Sequence, residues 1–442
     1  MQKLLNFKDY INVVLFGIIA MFGRAYEHGL TTDNIHYAAI SKSLLSSDNP
    51  LLLTLGSEPY LNKPPLFFWL NSIAIWAFGS NVYGAKFVSI LAAIAIMLLV
   101  FHLTKLAFDS VDAGYGAVLF FLVNFIVFKN SQACRLESLL TFFIMLSLIF
   151  TYKYISSRKR ILLIAVGVFA GLAVLTKGFA GIFVFVFIAL YLLITEQKRA
   201  ALLIDLMFSA IAFLITFGWW YAYAFANSDL YQVFLLKESV ARMSMTGEGN
   251  FQYVSIFKHS MTMLKYNFLL IIFMVIGFKR RIWSVRTKKY VKLFTWFTII
   301  YFISIHFISS KYSRYLYVMI PFMSIAAGVG LASVLKYKMR KVFFGLMFIY
   351  AFFMVLYPFS TGQETFDEIK KVKAFAKTNS LNVCVDEQYY SHWERKSAMI
   401  FYYGEGYSVG SCADSDIKIT SKNGECDGNI LIKNRKVQAC LK

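Results

Sequence analysis

Along the chain, apolar residues fall in long runs broken by short polar stretches. Each run is about 17–25 residues, enough to cross roughly 30 Å of hydrocarbon as a helix. The pattern predicts eleven spans, near residues 10–26, 82–104, 113–128, 137–152, 161–175, 179–194, 201–226, 262–278, 291–308, 314–335 and 341–358. The first run lacks a small-residue cleavage site and reads as a retained span rather than a signal peptide. Two stretches break the pattern. Residues 27–81 contain Asn34–Leu45, whose Ile35, Ala38, Ala39 and Leu45 share one helical face; this predicts an amphipathic helix lying in the interface, with Asp33 as its N-cap. Leu66–Phe78 is apolar but too short to span and reads as a second interfacial or re-entrant helix, with Pro64 and Pro65 at its start, where missing N–H groups cost little.

Beyond residue 359 the character changes. Residues 360–442 read as a small mixed α/β domain: a polar helix (Glu364–Thr378), a strand (Leu381–Val385), a helix through Met399–Tyr402, and strands near Ile417–Thr420 and Ile430–Lys433. Four of the five cysteines lie here, Cys384, Cys412, Cys426 and Cys440. An even set predicts two disulfides, with three pairings open. The remaining 1–359 form the membrane part, with 27–81 and 227–261 as its large external loops.

Composition agrees. The chain is 58% hydrophobic and only 16% charged, against about 25% charged in soluble domains, and its mean hydropathy is +0.59. The fold class is a polytopic α-helical membrane protein. Its net charge of +21 reads as topology and contact with anionic lipid, not as nucleic-acid binding. The densest basic clusters are Tyr154–Arg160, Glu196–Arg199, Lys279–Tyr290 and Lys336–Lys341. Placing them in the cytoplasm puts the N-terminus inside and the C-terminal domain outside.

On the outer side every connection carries a cation, and several carry a carboxylate: Arg24, Glu27, Asp33, Lys63, Arg135 with Glu137, Lys177, Glu238 with Arg242, and Lys311 with Arg314. If they converge, they build a cationic cavity suited to a phosphate or pyrophosphate. Plainer readings exist for several. Arg24 and Lys42 can snorkel to headgroups. Glu238 and Arg242 are four apart and fit a surface helix pair. Lys177, in Thr176-Lys177-Gly178, can meet the free carbonyls ending its own span. Lys63 resists such a reading, because it precedes two prolines inside the apolar, aromatic stretch EPYLNKPPLFFWL (Glu58–Leu70). No cofactor is required by the pattern. A divalent ion held by His36 and Glu27 is the one metal alternative. No internal repeat, P-loop or GxGxxG is present.

TTDNIHYAAISKSLL followed by EPYLNKPPLFFWLNSIAIWAFG resembles the first external loop of the ArnT-like and protein O-mannosyltransferase-like C-type (GT-C) glycosyltransferases. The resemblance continues in order through RLESLLTFF, LTKGFAGIF, FGWWYAYA, FLLKESVARM and SSKYSRYLYVMIP to FYYG (Phe401–Gly404). It implies a transferase using a polyprenyl-phosphate-linked sugar, an amino sugar among the candidates, with lipid A or another envelope glycan or a protein as acceptor. By motif it also implies Asp33 as the catalytic acid, Glu137 as a second acid, and Lys63 as the holder of the lipid phosphate, in the periplasm of a bacterial inner membrane; the charge pattern offers Arg135, Lys177, Arg314 and Lys311 as helpers at the phosphate and Glu238 with Arg242 as further substrate contacts. The chain departs from many relatives in having Asn34 beside Asp33 and Asn62 before KPP. The competing class is a lipid-linked sugar transporter, which calls for polar residues at midplane and broken helices in both halves. A monomer is expected.

Overall fold

The computed structural model describes residues 7–22, 29–30, 32–196, 199–229, 257–279, 285–308, 311–335, 341–346 and most of 366–441. A helix lies at each expected span through 314–335; the last, 341–358, falls mostly outside the described residues, as does the expected domain boundary at 359/360. Among the described residues, six helices are long and apolar enough to cross a membrane: Val82–Phe108, Glu137–Ser157, Arg160–Lys177, Arg199–Asn227, Lys258–Lys279 and the Ser313–Leu335 unit. Phe7–Phe22, with 16 residues, and Phe179–Thr195, with 17, are apolar but shorter. The expected third span is a correction: it is two helices, Val111–Leu122 and Phe125–Ser131, bent by 67°. Asn124 sits at the bend, and its side chain accepts from the N–H groups of Ile126 and Val127. An Asn that caps a new helix competes with continuation of the old one.

Burial separates core spans from outer ones. In Glu137–Ser157, 78% of the apolar window is covered by protein, but in Arg199–Asn227 and Lys258–Lys279 only 22% is. Their outer faces bear Leu214, Ile215, Met261 and Leu264 exposed. Apolar surface left uncovered on this scale needs lipid. Helices approach closely where glycine allows it: a Cβ at Gly167 would meet the Ser209 carbonyl oxygen at 2.1 Å.

The first loop is folded, not draped. A helix, Asp33–Ser43, and a two-residue hairpin, β1 (Thr54–Leu55) with β2 (Glu58–Pro59), precede the helix Leu66–Phe78, whose N-cap is Pro65. The loop is pinned to the span Arg199–Asn227: Trp220 Nε1 donates to the Leu51 carbonyl at 2.8 Å, and Asn49 Nδ2 to Tyr223 Oη at 3.0 Å. Two expectations fail here. Asp33–Ser43 does not offer its apolar face to lipid headgroups, because Ile35, Tyr37, Ala38, Ala39, Ile40 and Ser41 are all buried within the protein. The C-terminal domain covers its other side. Nor does Asp33 cap it: Thr32 holds the N-cap position and Asp33 is the first helical residue.

That domain has a helix Glu368–Thr378, β3 (Val383–Asp386), short helices Glu387–Ser391 and Trp393–Ala398 running into a π turn Met399–Tyr403, then β4 (Ser408–Gly410), β5 (Ile417–Thr420), β6 (Asn429–Lys433) and β7 (Gln438–Leu441). The sheet order is β4-β3-β5-β7-β6. β3 is parallel to β4 and β5; β7 is antiparallel to β5 and β6. β4 and β7 went unread in the sequence. Disulfides join Cys384 to Cys412 and Cys426 to Cys440.

Candidate active site

Glu137 begins one span, Lys177 ends the next, and Arg314 lies at the start of the Ser313–Leu335 unit. Alternating chain direction therefore brings all three to one end of the bundle. Arg158 and Arg160, paired with Glu196 and Asp205, mark the opposite end.

Glu137 is buried at 4% exposure, and two cations meet it. Lys177 Nζ donates to Glu137 Oε1 at 2.8 Å, and Arg314 Nε lies 3.6 Å from the same oxygen. A buried carboxylate needs such pairing. Lys177 is therefore not the cap of its own span; the Gly178 N–H performs that job on the Val174 carbonyl. Gly178 has φ +37°, a region where glycine pays no Cβ penalty, and this lets the chain reverse immediately after Lys177. Arg314 also donates through Nη1 to Asp33 Oδ2 at 2.6 Å and stacks 4.2 Å over the Tyr312 ring. Arg135 approaches Asp33 Oδ2 at 3.7 Å and donates through Nε to Asn34 Oδ1 at 3.1 Å. One network thus runs Asp33–Arg314–Glu137–Lys177, braced by Arg135.

These groups open onto a cavity of about 510 Å³, within the roughly 300–1,000 Å³ of ligand sites. Asp33, Glu137, Lys63, Lys177 and Arg314 line it, with an aromatic and polar wall of His36, Tyr37, Tyr60, Tyr312, Tyr315 and Trp393. Charged lining is three cations to two carboxylates. Lys63 Nζ donates to the Asn62 carbonyl at 2.8 Å, and the two prolines behind it are buried. Lys177 also sits 5.1 Å over the Tyr315 ring. Tyr317 Oη is hydrogen-bonded to Ser131 Oγ and Ser138 Oγ, fixing the backbone next to Glu137.

The site's outer wall comes from the C-terminal domain. His36 Nδ1 lies 3.0 Å from Ser397 Oγ, whose hydroxyl donates to the Trp393 carbonyl. The ring therefore donates through Nδ1, and Nε2 keeps the lone pair. Burial lowers the His36 pKa against the opposing pull of Asp33, which favours that neutral ring. Burial likewise raises the Tyr37 hydroxyl pKa, with Asp33 adding to it.

Not every candidate arrives. Lys311 turns away and donates to the His306 carbonyl. Arg135 stands behind Asp33 rather than on the cavity surface. Glu27, Glu238 and Arg242 lie outside the described residues. Among the described residues no group of three His, Cys, Asp or Glu is placed to hold a metal ion. The aromatic wall was missed in the sequence. Tyr312 and Tyr315, in SKYSRYLY, had a visible cue in flanking Arg314; Trp393 had none.

Comparison with known proteins adds a second line. A sequence model of the dolichyl-phosphate-mannose-protein mannosyltransferase family matches residues 13–231. An uncharacterised protein of Aquifex aeolicus is 26% identical over 290 residues, 65% of this chain and 56% of its own. An undecaprenyl phosphate-alpha-4-amino-4-deoxy-L-arabinose arabinosyl transferase of Proteus mirabilis is 25% identical over 217 residues, 48% of this chain and 39% of its own. The crystal structure of ArnT from Cupriavidus metallidurans bound to undecaprenyl phosphate superposes with a TM-score of 0.74 over 97% of this chain and 96% of that one, at 14% identity. The chain thus resembles the ArnT-like and protein O-mannosyltransferase-like proteins in sequence and shares the fold of ArnT. It is a multi-pass membrane protein with the ArnT fold, including the small C-terminal sheet domain. The aligned stretch spans about half the length of the curated relatives it matches.

Proposed function

We propose that the protein is a glycosyltransferase that moves a sugar from a polyprenyl-phosphate donor to lipid A or another envelope acceptor at the outer face of the bacterial inner membrane. The observation that carries this reading is the cavity of about 510 Å³ in which Lys63, Lys177 and Arg314 face Asp33. The relatives named as arabinosyl transferases support it, and so does the likeness to ArnT bound to undecaprenyl phosphate. Basic clusters at the opposite end of the bundle support a cytoplasmic N-terminus and a periplasmic C-terminal domain.

In the reaction the bond between the anomeric carbon and the phosphate oxygen breaks, and a bond from an acceptor oxygen forms. Polyprenyl phosphate leaves with the electron pair. Negative charge grows on it as positive charge grows on the sugar ring. Fixed cations lower the first without reorganising: Lys63 at the phosphate, with Lys177 and Arg314 beside it. Asp33 takes the proton of an acceptor hydroxyl, a contribution of about 10²–10⁴-fold. For an acceptor that is itself a phosphate, no proton needs removal, and Asp33 offsets the ring's positive charge. Glu137 Oε1 is paired with both Lys177 and Arg314, so its part is to hold those cations in place. The sequence reading of Glu137 as a second catalytic acid becomes one of anchoring.

The test is mass spectrometry of lipid A from cells lacking the gene, complemented with wild type, Asp33→Asn or Lys63→Ala. The expected result is a sugar-sized mass that returns with wild type only. Restoration by both variants at normal expression would contradict the mechanism; unchanged lipid A throughout would redirect the acceptor to protein or another glycan.

A further inference from the structure

Thr32, immediately before Asp33, has φ 50° and ψ −134°. This is a glycine-favoured region, and a β-branched residue there is an outlier that surrounding contacts must hold. One described contact does so directly. The Thr32 N–H donates to Glu394 Oε1 at 2.9 Å, across 362 residues of chain. Glu394 stands in the helix Trp393–Ala398 of the C-terminal domain. The same helix grips the first loop twice more, through His36 and Ser397 at 3.0 Å and through Lys396 Nζ and Glu58 Oε1 at 2.5 Å. Asp33 follows the strained residue directly, so its carboxylate direction depends on the backbone at Thr32. The Arg314 contact at 2.6 Å needs that direction.

From this we infer that Glu394 is a positioning residue: by holding Thr32 in its left-handed conformation, it aims the Asp33 carboxylate into the cavity. The C-terminal domain is thus a working part of the active site. It does more than cover the first loop. The inference rests on the proposed role of Asp33 and adds a residue that does not itself touch substrate. A carboxylate is suited to the task, because a charged acceptor makes the stronger bond to a backbone N–H. When that bond is lost, Thr32 relaxes to negative φ and the start of the helix swings. A displacement near 1 Å at a catalytic group costs about 10²-fold in rate.

The full-length purified protein is assayed with the polyprenyl-phosphate sugar identified by the cell experiment, in wild type, Glu394→Ala, Glu394→Gln, the double variant Glu394→Ala/Thr32→Gly, and Asp33→Asn. Glu394→Ala is expected to lower kcat about 30-fold with donor KM within about threefold. Glu394→Gln keeps a carbonyl acceptor and should stay within about threefold of wild type. Thr32→Gly removes the cost of positive φ and should recover at least about tenfold in the Glu394→Ala background. Amide hydrogen exchange gives a readout that needs no donor: the peptide over residues 32–34 should exchange at least about tenfold faster in Glu394→Ala, with Leu66–Phe78 unchanged. Full activity in Asp33→Asn would remove the reading of Asp33 while leaving the exchange result standing. Inactivity of Asp33→Asn together with normal kcat and exchange in Glu394→Ala would overturn the positioning role. A Glu394→Ala defect that neither glutamine nor glycine repairs would also overturn it, by assigning Glu394 to domain docking alone.

Discussion

At Glu137 a single buried carboxylate holds two cations from two other spans. The three side chains are exposed by 6% (Glu137), 17% (Lys177) and 19% (Arg314). Breaking one partner of such a set leaves a charge unpaired in low dielectric. Lys177→Met should destabilise the detergent-purified protein by about 3 kcal/mol, the low end for a buried pair because Arg314 remains. Adding Glu137→Gln should recover most of that loss, since the double change removes both charges. A thermal-unfolding double-mutant cycle checks it; purely additive losses would mean the pair is not coupled. At this scale Lys63 was readable in the sequence because its chemistry is out of place, a lysine before two prolines in an apolar run; Asp33, an acid where a helix start favours one, was readable only through the motif around it. Trp393 and Glu394 were not readable. An ordinary aromatic and an ordinary glutamate gain meaning only from a neighbour some 360 residues away, which no local pattern records.

The helix Asp33–Ser43 shows the limit at the next scale. Its periodicity read correctly as a helix with an apolar face, but periodicity within one segment does not distinguish headgroups from a second protein layer. The C-terminal domain supplies that layer. Lys42 marks the joint. Snorkelling to headgroups is one place the sequence offers it, but its ammonium donates to the Phe401 carbonyl at 2.8 Å, midway along the π turn Met399–Tyr403. Lys373 donates to the Tyr403 carbonyl beside it. Gly404 follows with φ +84°, and a Cβ there would lie 3.1 Å from Lys42 Nζ. That accounts for glycine ending FYYG. Burial, then Lys373 and Lys370, lower the Lys42 pKa to about 8, with Glu405 opposing. The unfolded chain holds this proton up to the ordinary value of 10.5, so it binds more protons than the fold between pH 8 and 10.5. Lys42 therefore contributes stability above pH 10.5 that is lost as pH falls through 8. Lys42→Met should raise Tm at pH 7 and narrow its advantage as pH rises to 10. An equal Tm difference at both pH values would contradict this.

For the whole molecule, the order of apolar runs was enough to read a polytopic helical membrane protein with a small C-terminal domain, because a membrane leaves few ways to satisfy a backbone. The 67° bend at Asn124 and the strands β4 and β7 were not legible: the first depends on one side chain capping a helix inside an apolar run, and the strands are three and four residues long. The arrangement places a cationic cavity at one end of the spans and closes it with a disulfide-bonded domain, a layout suited to a reaction between a membrane-embedded donor and an acceptor at the surface. The most direct measurement is sugar transfer by the purified protein from an undecaprenyl-phosphate-linked donor to lipid A in mixed micelles, followed by mass spectrometry of both lipids. The account predicts equimolar loss of donor sugar and gain on the acceptor with wild type, and a rate at least about 10²-fold lower for Asp33→Asn and for Lys63→Ala. Transfer at the wild-type rate by both variants would contradict it.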